Sequence, residues 1–126
     1  ATWNRVGDLY SSVMASLGEV PGLLLASAHS SHSYRSGTNL YLTFAVRPEE
    51  ASELETSYLE CWRRTMECTI ASGAGIAHHH GIGRIRRDYL ASEIGEEGVA
   101  LLRTVKRALD PDDLLNPGTL LPMVAK

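Results

Sequence analysis

The chain has 126 residues, 44% of them hydrophobic and 21% charged, with a formal net charge of -3. A chain of this length holds one core and is short for a complete cofactor enzyme; its composition is that of a globular domain and excludes a disordered one. The slight negative charge gives no general attraction to nucleic acid, which is excluded as a partner class.

No apolar run approaches the roughly 20 residues that a spanning helix needs, and no basic segment followed by an apolar one opens the chain. The expectation is a cytoplasmic protein, with peripheral contact to a membrane left open. The first residue is Ala1 and not methionine, so the chain is expected to begin inside a longer protein.

Trp3, Val6, Leu9, Tyr10, Val13 and Leu17 recur at helical spacing and predict a helix over 3–17 that Gly18 ends. Val20, Pro21 and Gly22 signal a turn. The short apolar run Leu23–Ala28 predicts a buried strand. A polar patch, Ser27–Tyr34, with His29 and His32, then interrupts two apolar runs. Thr38–Val46 is rich in aromatic and β-branched residues and predicts the antiparallel partner of the first strand, closed by Pro48. From Glu49 to about Ala71 the spacing of Leu54, Tyr58, Cys61, Trp62, Thr65, Cys68 and Thr69 predicts a long helix. Its two cysteines would lie roughly 10.5 Å apart along the axis, too far for a mutual disulfide. They read as small core residues.

Beyond the glycine-rich stretch Ser72–Gly83, Arg84–Ser92 predicts a short basic helix. Gly95–Gly98 is a separator, and Val99–Leu109 a helix with an apolar stripe of Leu101, Leu102, Val105 and Leu109. Asp110-Pro111 stops it, because the residue before proline is pushed out of the α region. Asn116-Pro117-Gly118 predicts a turn, after which Leu120 and Leu121 must dock on something. The order α-β-β-α gives the fold class: α+β, an antiparallel sheet with helices packed on one face, plus a C-terminal helical segment.

The chemistry is concentrated in His78, His79 and His80, flanked by Gly73, Gly75, Gly81 and Gly83. Glycines so placed let the backbone take positive φ or approach another group closely, which implies a shaped segment. Histidine is the side chain that exchanges a proton near neutral pH. A hydrogen-bonded structural cluster is one reading of the triplet. Another is a metal-binding module, with His78 and His80 on one side of an extended segment joined by His29 or His32 as zinc ligands. No acidic residue lies near the triplet in sequence and no HExxH helix exists, which disfavours metal. Proton transfer at an organic centre is the favoured use, with Tyr34 in the polar patch as an acid/base candidate beside His32 and Arg35. Arg84, Arg86 and Arg87 read as a solvated face. No GxGxxG follows a strand and no P-loop is present, so the chain carries no nucleotide fold of its own.

The segment His78-His79-His80-Gly81-Ile82-Gly83-Arg84-Ile85-Arg86-Arg87-Asp88-Tyr89-Leu90 closely resembles the histidine-triplet motif of alkyldihydroxyacetonephosphate synthases, flavoenzymes of the vanillyl-alcohol oxidase type. Tyr34-Arg35-Ser36-Gly37, leading into Thr38–Phe44, resembles their tyrosine-x-x-glycine turn before an aromatic strand. Thr2-Trp3 and Asp110-Pro111 also fit that family's C-terminal end, so the likeness spans nearly the whole chain. It implies a C-terminal portion of such an enzyme, residues 1–126 completing a ferredoxin-like substrate (cap) domain, with FAD bound mainly by a domain expected upstream. It implies an exchange of the acyl chain of acyl-dihydroxyacetone phosphate for a fatty alcohol, making an ether through a flavin N5 adduct without net redox change.

On the same resemblance, Tyr34 would remove the proton next to the substrate carbonyl, and His79 and His80 would sit nearest the flavin and the substrate oxygens. His78 completes the catalytic set, and Asn116 joins His79 and His80 as a cofactor contact. Asn116-Pro117-Gly118, however, is similar to the ending of FAD-linked D-2-hydroxyacid dehydrogenases and oxidases acting on lactate or glycolate. Those relatives carry glutamate-histidine where this chain has His79-His80, a change of charge at the reacting centre that favours the synthase. The expected partners are therefore the rest of the polypeptide and a small lipid-like or 2-hydroxyacid substrate.

Overall fold

The structure, a computed structural model, describes residues 1–122. The chain forms two compact units, Ala1–Gly75 and a second beginning at Ile76.

The first unit opens with helix α1, Val6–Gly18, which buries Leu9, Val13 and Leu17. The helix begins three residues later than the periodicity predicts. Thr2 is instead bridged to Gly37, and its carbonyl accepts from Arg5 N and Val6 N, both at 3.0 Å. Trp3 belongs to that bridge and not to the apolar stripe, and half of it is exposed.

Strands β1, Leu23–Ser33, and β2, Thr38–Val46, form an antiparallel pair in which Ala26 faces Phe44, His29 faces Tyr41 and Ser33 faces Thr38. β2 has the predicted bounds. β1 runs five residues further than expected, straight through the polar patch. The ladder is made by backbone groups, so side-chain polarity sets which residues are wet and not where pairing stops. A register irregularity between Ser30 and Ser33 absorbs the mismatch.

An extended Glu50 (φ -104°, ψ 133°) delays the next helix, and a 3-10 turn, Ala51–Glu53, leads into α2, Leu54–Ala71. Its buried Thr65 and Thr69 satisfy their own hydroxyls by donating to the carbonyls of Cys61 and Thr65, each at 2.8 Å. Leu9, Val13, Leu17, Val20 and Cys61 form the core, onto which Leu40, Leu42, Phe44 and Val46 of β2 pack. Both helices therefore cover one face of the sheet, as the α+β reading expects. Cys61 is buried within this core, which pushes its thiol up and leaves it unreactive. At the rim, Arg64 joins α2 to the end of α1, donating to Ser16 O at 3.0 Å and Glu19 Oε2 at 2.8 Å.

In the second unit, helical turns at Gly83–Arg86 (α3) and a 3-10 turn at Arg87–Tyr89 replace the predicted basic helix and run into α4, Leu90–Leu109. The separator narrows to Gly95, whose φ of 75° and ψ of 165° break α4 at one residue. Gly98 lies beyond the break, and a Cβ there would meet Ile94 Cβ at 3.0 Å. Leu101, Val105 and Leu109 keep the predicted spacing yet are 65%, 47% and 78% exposed. No helix among the described residues is long and apolar enough to cross a membrane.

The tail folds around Asp110. Its carboxylate receives Lys106 Nζ and the backbone N–H groups of Leu114 (2.9 Å) and Leu115 (2.8 Å). These donors, Lys106 first, lower its pKa from 3.8 to about 2. Lys106 also donates to Leu115 O at 2.7 Å, and its own pKa rises mainly through Asp110. The predicted turn follows: Thr119 N donates to Asn116 O at 3.2 Å, with Gly118 at φ 65°. Proline and glycine at its two centres are the residues that a type II geometry selects.

Candidate functional site

Tyr34 is carried by the first unit, at the hairpin turn between β1 and β2. Its backbone N–H donates to Gly37 O at 2.7 Å, and its carbonyl accepts from Trp3 Nε1 at 2.9 Å. The main chain is thus held on both sides while the phenol stands out, 52% exposed. Asn39 organises the strand end behind it: Oδ1 accepts from His32 N at 2.7 Å and from Ser31 Oγ at 3.2 Å. His32 Nδ1 lies 3.0 Å from Ser31 Oγ. His29 is stacked on Tyr41, its cross-strand neighbour, with centroids 5.2 Å apart and planes inclined by 27°. Trp3 and Asn39 did not emerge as site residues from sequence, since each acts through a hydrogen bond across the hairpin and neither bears a reactive group.

The histidine triplet belongs to the second unit, and its glycine flanks behave as their spacing suggests. Gly81 and Gly83 have φ of 69° and 61°. No neighbour stands within 4 Å of a Cβ built on either, so the left-handed backbone is what requires glycine there. Gly73 closes α2 in a Schellman motif, with Gly73 N donating to Ile70 O at 2.9 Å and Ala74 N to Thr69 O at 3.1 Å. The three rings are brought together in sequence order. His78 and His79 centroids are 5.0 Å apart at 88°, and those of His79 and His80 4.4 Å apart at 82°.

His78 Nδ1 lies 2.7 Å from His79 Nδ1. In that contact one nitrogen carries the proton and the other accepts it, so the pair shares a hydrogen between two exposed imidazoles. The cluster thus offers both a donor and an acceptor to whatever abuts it. Such a donor set suits the carbonyl oxygens and ring nitrogens of a flavin as well as a substrate oxygen.

Two contacts bring neighbouring charges onto the backbone around the triplet. Glu93, seventeen residues from Ile76, accepts the Ile76 backbone N–H at 2.9 Å, so an acidic group does stand near the start of the triplet segment. Arg87, expected on a solvated face with Arg84 and Arg86, donates from Nη1 to the carbonyl of Gly118. It thereby ties the Asn116-Pro117-Gly118 turn to the segment following the histidines. Asn116 itself is exposed, with a left-handed φ of 47°. Arg84 alone of the three arginines is exposed; Arg86 and Arg87 are half-buried.

A two-layer α+β unit and a glycine-bent triplet of imidazoles define the class to which comparison leads. Residues 1–120 match the model of the C-terminal domain of FAD linked oxidases, and the chain belongs to that family. The domain is thus part of a larger FAD-linked oxidase polypeptide. Alkyldihydroxyacetonephosphate synthase of Trypanosoma brucei brucei is 33% identical over 120 residues, covering 95% of this chain and 19% of that protein. The uncharacterized FAD-linked oxidoreductase YgcU of Escherichia coli (strain K12) is 33% identical over 130 residues, 96% of this chain and 26% of that protein. Glycolate oxidase subunit GlcD of Bacillus subtilis (strain 168) is 28% identical over 78 residues, 62% of this chain and 16% of that protein. The chain therefore spans a fifth to a quarter of the first two relatives, at 19% and 26%.

Proposed function

We propose that this domain serves an FAD-dependent enzyme of the alkyldihydroxyacetonephosphate synthase type, which exchanges the acyl chain of an acyl-dihydroxyacetone phosphate for a fatty alcohol. The observation that carries the reading is the proton-sharing contact of His78 and His79 at 2.7 Å within the glycine-shaped triplet. It is supported by the synthase relative, which covers 95% of the chain where the glycolate oxidase subunit covers 62%.

In this reading Tyr34, acting as the phenolate, takes the proton from the substrate carbon beside the carbonyl and becomes the phenol. Its main chain is already fixed by Trp3 and Gly37, so little ordering is needed when substrate arrives. His79 and His80 present N–H groups to substrate oxygens and to the flavin, and His78 donates the shared proton to Nδ1 of His79, which keeps the N–H of His79 on its other ring nitrogen. FAD, bound mainly by the upstream part of the polypeptide, supplies the electron-accepting ring beside which the exchange runs. Asn116, placed by the Arg87 link, is the remaining cofactor contact. A cytoplasmic location, with peripheral contact at a membrane surface to reach its lipid-like substrate, completes the proposal.

The test is turnover by the full flavoprotein. With acyl-dihydroxyacetone phosphate and a fatty alcohol it should release fatty acid and form the ether while the flavin stays oxidised. The Asn116-Pro117-Gly118 turn favours a second reading, oxidation of a D-2-hydroxyacid. Bleaching of the flavin by lactate or glycolate with stoichiometric keto acid, and no ether product, would replace the first reading with the second.

A further inference from the structure

We infer that the outer edge of β2 is the docking site for the stretch of polypeptide immediately preceding Ala1, which adds to the sheet as a third, antiparallel strand. The inference rests on family membership and strand geometry, and is independent of which reaction the enzyme performs.

Ala1–Trp3 already lies on that edge. Thr38 N donates to Ala1 O at 3.0 Å, Ala1 N donates to Thr38 O at 2.9 Å, and Trp3 N donates to Ser36 O at 3.2 Å. A residue pair that exchanges both hydrogen bonds is the narrow pair of an antiparallel ladder, and Thr2 opposite Gly37 is the next, non-hydrogen-bonded pair. Gly37 permits this approach: a Cβ there would stand 2.8 Å from Thr2 Cα.

Beyond Thr38, β2 pairs with β1 alone among the described residues. Backbone groups alternate sides along a strand, so those of Leu40, Leu42, Phe44 and Val46 point the same way as those of Thr38, to the open edge. Arg47 N donating to Gly22 O at 2.8 Å, on the β1 side, keeps the same alternation. A long open edge invites pairing. The covalently continuous segment is the favoured occupant because its first paired residue is already in register, with no loop to close. The family assignment to a C-terminal domain supplies such a segment.

Each step back from Ala1 advances one position along β2, so the eight residues before it run opposite Asn39–Val46. Those opposite Leu40, Leu42, Phe44 and Val46 share the helix-covered face of the sheet and should be apolar. The last two of these lie beside an apolar groove of about 440 Å³ lined by Phe44, Val46, Leu54 and Tyr58, which their side chains would fill.

Amide hydrogen exchange on the full polypeptide tests this without any substitution. The amides of Leu40, Leu42, Phe44 and Val46 should exchange at least about 100-fold more slowly than an open peptide, alongside those of Tyr41 and Thr43. Open-peptide exchange at the four, with protection at the other two, overturns the inference. Register is read by pairing Thr43→Cys with a cysteine at the fifth residue before Ala1, opposite each other in a non-hydrogen-bonded pair close enough for a disulfide. An intrachain disulfide there supports the strand. A link between two copies, or from a different strand, overturns it.

Discussion

Tyr34 and the imidazoles carry the chemical proposal, and single substitutions separate their roles. In the full flavoprotein, Tyr34→Phe should lower turnover by about 10²- to 10⁴-fold, the usual contribution of a general base, with the far-ultraviolet spectrum unchanged because the phenol is exposed. Unaltered turnover would remove Tyr34 from the mechanism. Asp110 gives a prediction with a defined sign. Its folded pKa of about 2 lies below the ordinary 3.8, so its contribution to the tail is present in full above that ordinary value and disappears as pH falls toward 2. Exchange protection of the Leu114 and Leu115 amides should follow that window, whereas Asp110→Asn should be less protected throughout and flat across it. The triplet and Tyr34 are legible in the sequence because reactive side chains announce themselves. Glu93 and Arg87 are not, since their partners are the backbone groups of Ile76 and Gly118, 17 and 31 residues away.

Among the elements, α1 and β2 follow from periodicity and residue type, and their shared core makes them costly to alter. Leu17 is fully buried, and Leu17→Ala should destabilise the first unit by about 2–5 kcal/mol in urea unfolding. In α4 the break rests on Gly95 alone, in a conformation that side-chain-bearing residues scarcely adopt. Gly95→Ala should cost about 1–3 kcal/mol, or straighten the helix at that point, either of which a change in local exchange protection would reveal. The true length of β1 was hidden by its polar half. Hydrophobic alternation identifies the covered part of a strand, whereas the exposed part is held by a ladder to which every residue type contributes equally. The start of α2 was displaced for a related reason: one extended residue, Glu50, shifts a helix without disturbing its apolar spacing.

At the scale of the molecule, this chain spans 19% of its synthase relative, and in the proposed function FAD is held mainly by the upstream part of the polypeptide. Titrated with FAD, residues 1–126 alone should therefore show no saturable binding, while the larger polypeptide should bind it tightly; tight binding by this domain would place the cofactor site here. The sequence by itself determined the α-β-β-α order, the core stripe of α1 and the glycine-bent histidine segment, because burial, period and positive φ are local properties written in residue type. Only the tertiary structure decided which carbonyl each arginine and which backbone N–H each carboxylate would meet, how far β1 would pair and that Ala1–Trp3 would lie along β2. Those contacts join backbone groups, which are the same at every position and acquire partners only when the chain closes on itself.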